Sequence, residues 1–99
     1  MKKLSGVIPV LLTPLTEKGD IDKTSLVKLV KHLNTKNIGG FWVLGTGAED
    51  MNLTYQQRLQ VVNTVVEANA GKSPLIVGAG FFAMRDAENF MDDTAHLGF

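Results

Sequence analysis

The chain has 99 residues, 44% hydrophobic and 20% charged, with ten Lys/Arg against ten Asp/Glu and no cysteine. That arithmetic fits one small domain with a real core and excludes disorder. A formal net charge of zero speaks against nucleic acid or a membrane surface as partner, since both need a basic excess. Lack of cysteine excludes disulfide scaffolds, Cys-based zinc sites and thiol nucleophiles, and fits a reducing compartment; a cytoplasmic location is expected.

Met1-Lys2-Lys3-Leu4 opens an apolar stretch that reaches Leu15, the order of charge and apolarity found in a signal peptide. Gly6, Pro9 and Pro14 break the stretch, and no small-x-small cleavage site follows. It reads instead as a buried strand over residues 7–12, ended by Thr13-Pro14. No stretch reaches the roughly 18 apolar residues of a membrane span. Further apolar runs begin at Phe41 and Leu75, each 34 residues after the last. Phe41-Trp42-Val43-Leu44 and Leu75-Ile76-Val77 are short and β-rich, hence strands.

Helical periods lie between and after these runs. Leu26, Val27, Leu29, Val30 and Leu33 form an i, i+3, i+4, i+7 stripe, with Asp22 as the N-cap. Leu59, Val62, Val65 and Val66 form the second stripe, opened by the capping box Thr54-Tyr55-Gln56-Gln57. A third helix is predicted from about Arg85 to Leu97, with Ala87, Phe90, Met91 and Thr94 on one face and Gly98 as its stop. The order is β-α-β-α-β-α. Its fold class is α/β, with a parallel sheet and right-handed crossovers. Three strands leave two open edges, so the pattern is expected to be the first three βα units of something larger.

Sites in parallel α/β folds lie at the carboxyl ends of the strands. Thr13 follows the first strand. After the second come Gly45, Thr46, Gly47, Ala48, Glu49 and Asp50. The glycines admit close approach of a ligand, exposed amides cradle an anion, and Thr46 adds a hydroxyl. Glu49 and Asp50 are read first as a solvated turn, or for Glu49 as a support that hydrogen-bonds the loop amides. Gly78-x-Gly80-x-x-Ala83 nominally matches a dinucleotide fingerprint, although Phe81 and Phe82 are bulky where a pyrophosphate would lie. His32 and His96 fall on different helices, no cluster has metal spacing, and no metal or cofactor is expected. Tyr55 is read as a packing residue, and Ser5, Ser25 and Ser73 have no nucleophile-elbow context.

Leu44-Gly45-Thr46-Gly47-Ala48-Glu49, then Leu53-Thr54 and Arg58, resembles the signature of the dihydrodipicolinate synthase / N-acetylneuraminate lyase family. Gly6-Val7-Ile8-Pro9, Leu12-Thr13-Pro14-Leu15, Gly19, Ile21-Asp22 and Pro74-Leu75-Ile76-Val77-Gly78-Ala79-Gly80 agree with it, in order along the whole chain. The resemblance implies a (β/α)8 barrel of which residues 1–99 are the N-terminal third, a partial domain inactive alone. It implies a Schiff base between a lysine and pyruvate or a related 2-oxo acid, then carbon–carbon bond making or breaking, or loss of water. It also implies a homo-oligomer, by family a tetramer.

Within that resemblance Thr46 and Gly47 grip the substrate carboxylate, and Gly45, Glu49 and Thr13 support the loop. Gly47 stands where the family has a second Thr or Ser, so one hydroxyl is lost and the amide remains. Ala48 replaces the usual Gly. Phe81, Phe82 and Met84 replace small and hydroxyl residues. The Schiff-base lysine and catalytic tyrosine are expected beyond Phe99. Lys2, Lys3, Lys23, Lys28, Lys31 and Lys36 read as surface charges, Lys72 precedes a strand, and Lys18 sits in a polar turn. A nucleophilic lysine needs burial or a neighbouring cation to depress its pKa.

Two other readings stand beside this one. The first is a small non-catalytic α/β module that binds phosphate or nucleotide through its Gly-rich loops. The second is a structural half-barrel that needs a partner to close its sheet.

Overall fold

The computed structural model describes residues 4–81 and 83–99; Met1, Lys2, Lys3 and Phe82 lie outside the described residues. Helix α1 (Lys23–Leu33) begins where Asp22 caps it: Oδ1 accepts from the Ser25 amide (3.1 Å) and Oδ2 from the Ser25 hydroxyl (2.8 Å). These bonds, the amide's first, hold the Asp22 carboxyl below its ordinary range. Leu26 and Val30 are buried, with Leu29 and Leu33 packed beside them. A small turn precedes the helix, closed by the antiparallel bridge between Leu15 and Ile21. Lys18 is exposed in that turn.

Strands β1 (Phe41–Val43) and β2 (Leu75–Val77) pair in parallel, Phe41 with Leu75, Trp42 with Ile76 and Val43 with Val77. Phe41 and Val43 are buried under the helices, whereas Trp42 is 46% exposed on the opposite face. The core joins Leu11, Leu26, Val30, Phe41, Val62 and Phe90 with their neighbours.

The buried strand expected over residues 7–12 is not formed as such. Only Val10 bridges Trp42, in parallel, through Trp42 N–H to Pro9 O (3.0 Å) and Leu11 N–H to Trp42 O (2.9 Å). The carbonyl of Pro9 faces β1, so its nitrogen faces β1 too and has no hydrogen for the next rung. Leu11 is buried, but Val7, Val10 and Leu12 are exposed. The segment is an extended edge beside β1. The second run is also shorter than expected: Leu44 leaves the strand with φ +61°.

Helix α2 (Tyr55–Asn69) carries the complete capping box: Thr54 Oγ1 accepts from the Gln57 amide (3.1 Å) and Gln57 Oε1 from the Thr54 amide (3.0 Å). Its buried stripe is rotated from the expected one. Arg58, Val61, Val62, Val65 and Asn69 are buried, and Leu59 and Val66 only flank them. Helix α3 (Met84–Thr94) tightens into a 3-10 turn, Ala95–Leu97, which Gly98 ends at φ +75°. Ala87, Phe90 and Thr94 are buried, but Met91 is 52% exposed and falls off the expected face.

At the amino end of the strands the α1–β1 and α2–β2 connections are tied by side chains. Asn69 Oδ1 accepts from Asn34 Nδ2 (3.0 Å) and the Ser73 amide (3.1 Å), and Asn69 Nδ2 donates to Ser73 O (2.8 Å). No helix among the described residues is long and apolar enough to cross a membrane.

Candidate functional site

The parallel strands bring the residue 44–52 loop, the residue 78–81 loop and the end of the first extended segment to one edge of the sheet. The first loop folds as two 3-10 turns, Thr46–Ala48 and Asp50–Asn52. Ala48 N–H donates to Gly45 O (2.9 Å) and Glu49 N–H to Thr46 O (3.1 Å). The leading amides of a 3-10 turn, here Thr46 and Gly47, have no acceptor within it. Both residues are exposed, and neither amide has a backbone acceptor among the described residues.

Holding this shape takes backbone strain. Leu44 and Glu49 adopt left-handed φ values of +61° and +59°, which cost about 1–2 kcal/mol each for residues with a Cβ. Leu44 is anchored in the core, 1% exposed. Its carbonyl oxygen lies 2.5 Å from the place a Cβ on Gly78 would take, so the two loops meet backbone to backbone. A Cβ on Gly47 would meet Val10 Cγ1 at 3.2 Å, which brings the first segment against the loop.

Four expected site residues, Gly45, Thr46, Gly47 and Glu49, therefore share one turn. Gly45 is buried and Glu49 is exposed. Glu49 spends its amide, not its carboxylate, within the loop, and no loop amide donates to its side chain among the described residues. Thr13 is half-buried after the first segment, and its hydroxyl does not reach residues 45–49 by a hydrogen bond among the described residues. Asp50 corrects the solvated-turn reading: it is 4% exposed, with Oδ2 beside Gly80.

Tyr55 packs as the sequence reading expects; its hydroxyl bond, the Trp42 contact and the burial of Arg58 were not foreseen. The Trp42 indole lies directly against Gly45, with Nε1 3.2 Å from the place of a Cβ there. Tyr55 packs on Phe81 and Phe90 with ring centroids 5.8 and 5.7 Å away, and its hydroxyl donates to Asp93 Oδ2. That bond, first, and burial push the phenol up to about 12. Arg58 is 3% exposed, a buried cation between the two loops. Its signal was in the sequence: position 58 falls on the stripe of Val61, Val62 and Val65.

Of residues 78–83, named in the dinucleotide reading, Phe82 lies outside the described residues; Phe81 lies on Arg58, the Gly80 carbonyl accepts from the same guanidinium, and Gly80 is exposed. Lys18, Lys23, Lys28, Lys31, Lys36 and Lys72 are all exposed. No group of three or more His, Asp or Glu among the described residues could hold a metal ion.

The profile of the dihydrodipicolinate synthetase family matches residues 3–99. The 4-hydroxy-tetrahydrodipicolinate synthase of Streptococcus mutans is 35% identical over 93 residues, 94% of this chain and 32% of the relative. That of Thermosynechococcus vestitus is 35% identical over 98 residues, 99% of this chain and 33% of the relative. Among solved structures, N-acetylneuraminate lyase from Proteus mirabilis superposes with TM-score 0.93 at 28% identity, over 99% of this chain and 33% of that one. The lyase from Aliivibrio salmonicida gives 0.94 at 26% identity, over 100% and 33%. The chain thus spans about a third of the length of the curated relatives it matches. Its α/β arrangement is that of the first three βα units of the (β/α)8 barrel. The chain belongs to the dihydrodipicolinate synthetase family.

Proposed function

We propose that residues 1–99 are part of one (β/α)8 barrel domain and supply the carboxylate-binding loop of a Schiff-base lyase acting on pyruvate or a related 2-oxo acid. One observation carries this reading: a strained turn at the carboxyl end of β1 exposes the Thr46 hydroxyl beside the amides of Thr46 and Gly47. Donors fixed in advance bind a carboxylate without the cost of ordering them. Gly45 and Glu49 shape the turn, and Thr13 borders it from the first segment.

Gly47 leaves Thr46 as the only hydroxyl in the turn. The site therefore grips one carboxylate through one hydroxyl and backbone amides. The condensing lysine and the proton-relaying tyrosine are assigned to the part of the relatives' length that this chain does not span. In that step the lysine amine adds to the substrate ketone and water leaves with the ketone oxygen. The protonated imine then takes up, as an enamine, the electron pair of a Cα–H bond in pyruvate or of the Cα–Cβ bond in a larger 2-oxo acid, and the tyrosine relays the proton released. Assembly as a homo-oligomer, a tetramer, and a cytoplasmic location are part of the same reading.

Borohydride reduction of the natural protein in the presence of pyruvate, followed by intact mass, tests it. One reduced pyruvate adduct per chain, on a mass about three times the 10.7 kDa of this chain, is expected. Absence of any adduct under conditions that reduce a Schiff base overturns it.

A further inference from the structure

Arg58 is the charged side chain whose placement the carboxylate-binding turn does not explain. It stands on the first full turn of α2 and is 3% exposed. Nη1 donates to the Gly80 carbonyl (2.5 Å), Nη2 lies 3.7 Å from Met51 Sδ, and the guanidinium carbon sits 3.9 Å above the Phe81 ring centroid. Asp50 is close enough to favour its charge, opposing the burial that disfavours it. Asp50 is itself buried, with Oδ2 3.1 Å from the place of a Cβ on Gly80. Nε finds no acceptor among the described residues.

A cation buried on one neutral oxygen, a thioether and a ring, with the neighbouring Asp50 carboxylate offsetting part of the cost, is a poor way to stabilise a core; apolar side chains of similar volume do as well or better. What this one does is geometric. A single planar group touches the loop after β1 at Met51 and the loop after β2 at Gly80 and Phe81. Phe81 in turn packs on Tyr55 and Phe90, ring centroids 5.8 and 5.5 Å away, so the clasp is held by α2 and α3 together. Asp50 and Met51 belong to the 3-10 turn that follows Glu49 and so fix the downstream end of the carboxylate-binding turn. The upstream end is fixed by Leu44 in the core.

We infer that Arg58 is a positioning residue: by bridging the loops after β1 and β2 it holds the Thr46–Gly47 donors in register for the substrate carboxylate. Lysine cannot replace it. An ammonium keeps the charge but cannot reach the Gly80 carbonyl and the Met51 sulfur while lying flat on Phe81. The inference rests on the proposed function only for its kinetic consequence. The clasp itself is testable without it.

The test uses the natural protein with Arg58→Lys and Arg58→Ala, read by amide hydrogen exchange and by pyruvate kinetics. In Arg58→Lys, amides of residues 45–52 and 78–81 should exchange at least about tenfold faster, while those of residues 61–66 inside α2 stay within about twofold. KM for pyruvate should rise at least about tenfold with kcat within about threefold, the split expected for lost binding rather than lost chemistry. Ethylguanidine should lower the raised KM of Arg58→Ala, since it restores the planar group without the tether. Unchanged exchange in both loops overturns the inference. So does faster exchange spread equally through residues 61–66, or loosened loops with an unmoved KM. If the parent protein forms no pyruvate adduct, the functional reading fails, and the exchange data alone decide whether the clasp exists.

Discussion

Gly78→Ala places a methyl carbon 2.5 Å from the Leu44 carbonyl oxygen, 3.2 Å from its carbonyl carbon and 3.5 Å from the Val43 oxygen. Ordinary contact begins at 3.4 Å, so about 0.9 Å of movement is required. Both obstacles are backbone, and neither can rotate away. Leu44 is pinned in the core and already strained at φ +61°. The movement therefore passes into residues 45–47, which carry the proposed carboxylate donors. Overpacking of this kind costs about 1–3 kcal/mol of stability. A misplacement near 1 Å in a binding constellation costs on the order of 100-fold. The expected outcome is a rise of at least about tenfold in the pyruvate KM with a melting point only a few degrees lower. Gly71→Ala is the control. Gly71 has φ +75° and nothing within 4 Å of an added Cβ, so it should lose about 1–2 kcal/mol of stability with KM unchanged. An unchanged KM in Gly78→Ala alongside a normal fall in stability would show that the loop it pushes is not the binding loop.

Asn69→Ala removes three hydrogen bonds from the end of α2 and takes this partner from Asn34 Nδ2 and from the Ser73 amide and carbonyl, in half-buried positions, while the Ser73 hydroxyl still donates to Asn34 Oδ1. At about 1 kcal/mol per bond, part of it recovered by water, urea denaturation should show a loss of about 2–3 kcal/mol with the pyruvate KM unmoved; a loss below about half a kcal/mol contradicts the network. Tyr55 gives a pH signature. Its folded pKa is raised from 10.0 to about 12 by the Asp93 bond, so the folded state holds the proton more tightly than the unfolded state. Its contribution is complete below pH 10 and is lost as pH rises toward 12. The stability difference between the parent protein and Tyr55→Phe should therefore be flat below pH 10 and shrink above it. A difference that stays level through that window, followed by denaturant midpoint, would contradict the bond.

Local chemistry was readable in advance where the partners lie within a few residues. Asp22 with Ser25 and Thr54 with Gln57 cap their helices as their spacing predicts. The parallel pairing of Phe41–Val43 with Leu75–Val77 followed from short apolar runs separated by a helix. The first strand failed because one proline removes one rung, a local defect that an apolar count does not register. Arg58 was hidden for the opposite reason. Its partners at residues 80 and 81 lie on another loop, so its place in the signature was legible but its burial was not. Asp50 was misjudged in the same way, since it is buried with Oδ2 beside Gly80, thirty residues away. The turn at residues 45–49 was recognisable from its glycines and threonine. The left-handed Leu44 and Glu49 that hold it open were not, because neither residue type favours that conformation.

The most direct test of the carboxylate-binding assignment is the pyruvate affinity of Thr46→Val, measured as the concentration that gives half-maximal borohydride-trapped adduct in the natural protein. Valine keeps the β-branched shape and loses only the hydroxyl. Loss of a hydrogen bond to a charged carboxylate should weaken binding by about 1.5–3 kcal/mol, roughly ten- to 150-fold. A half-saturation point equal to that of the parent protein would contradict the assignment of Thr46 and of the loop that presents it.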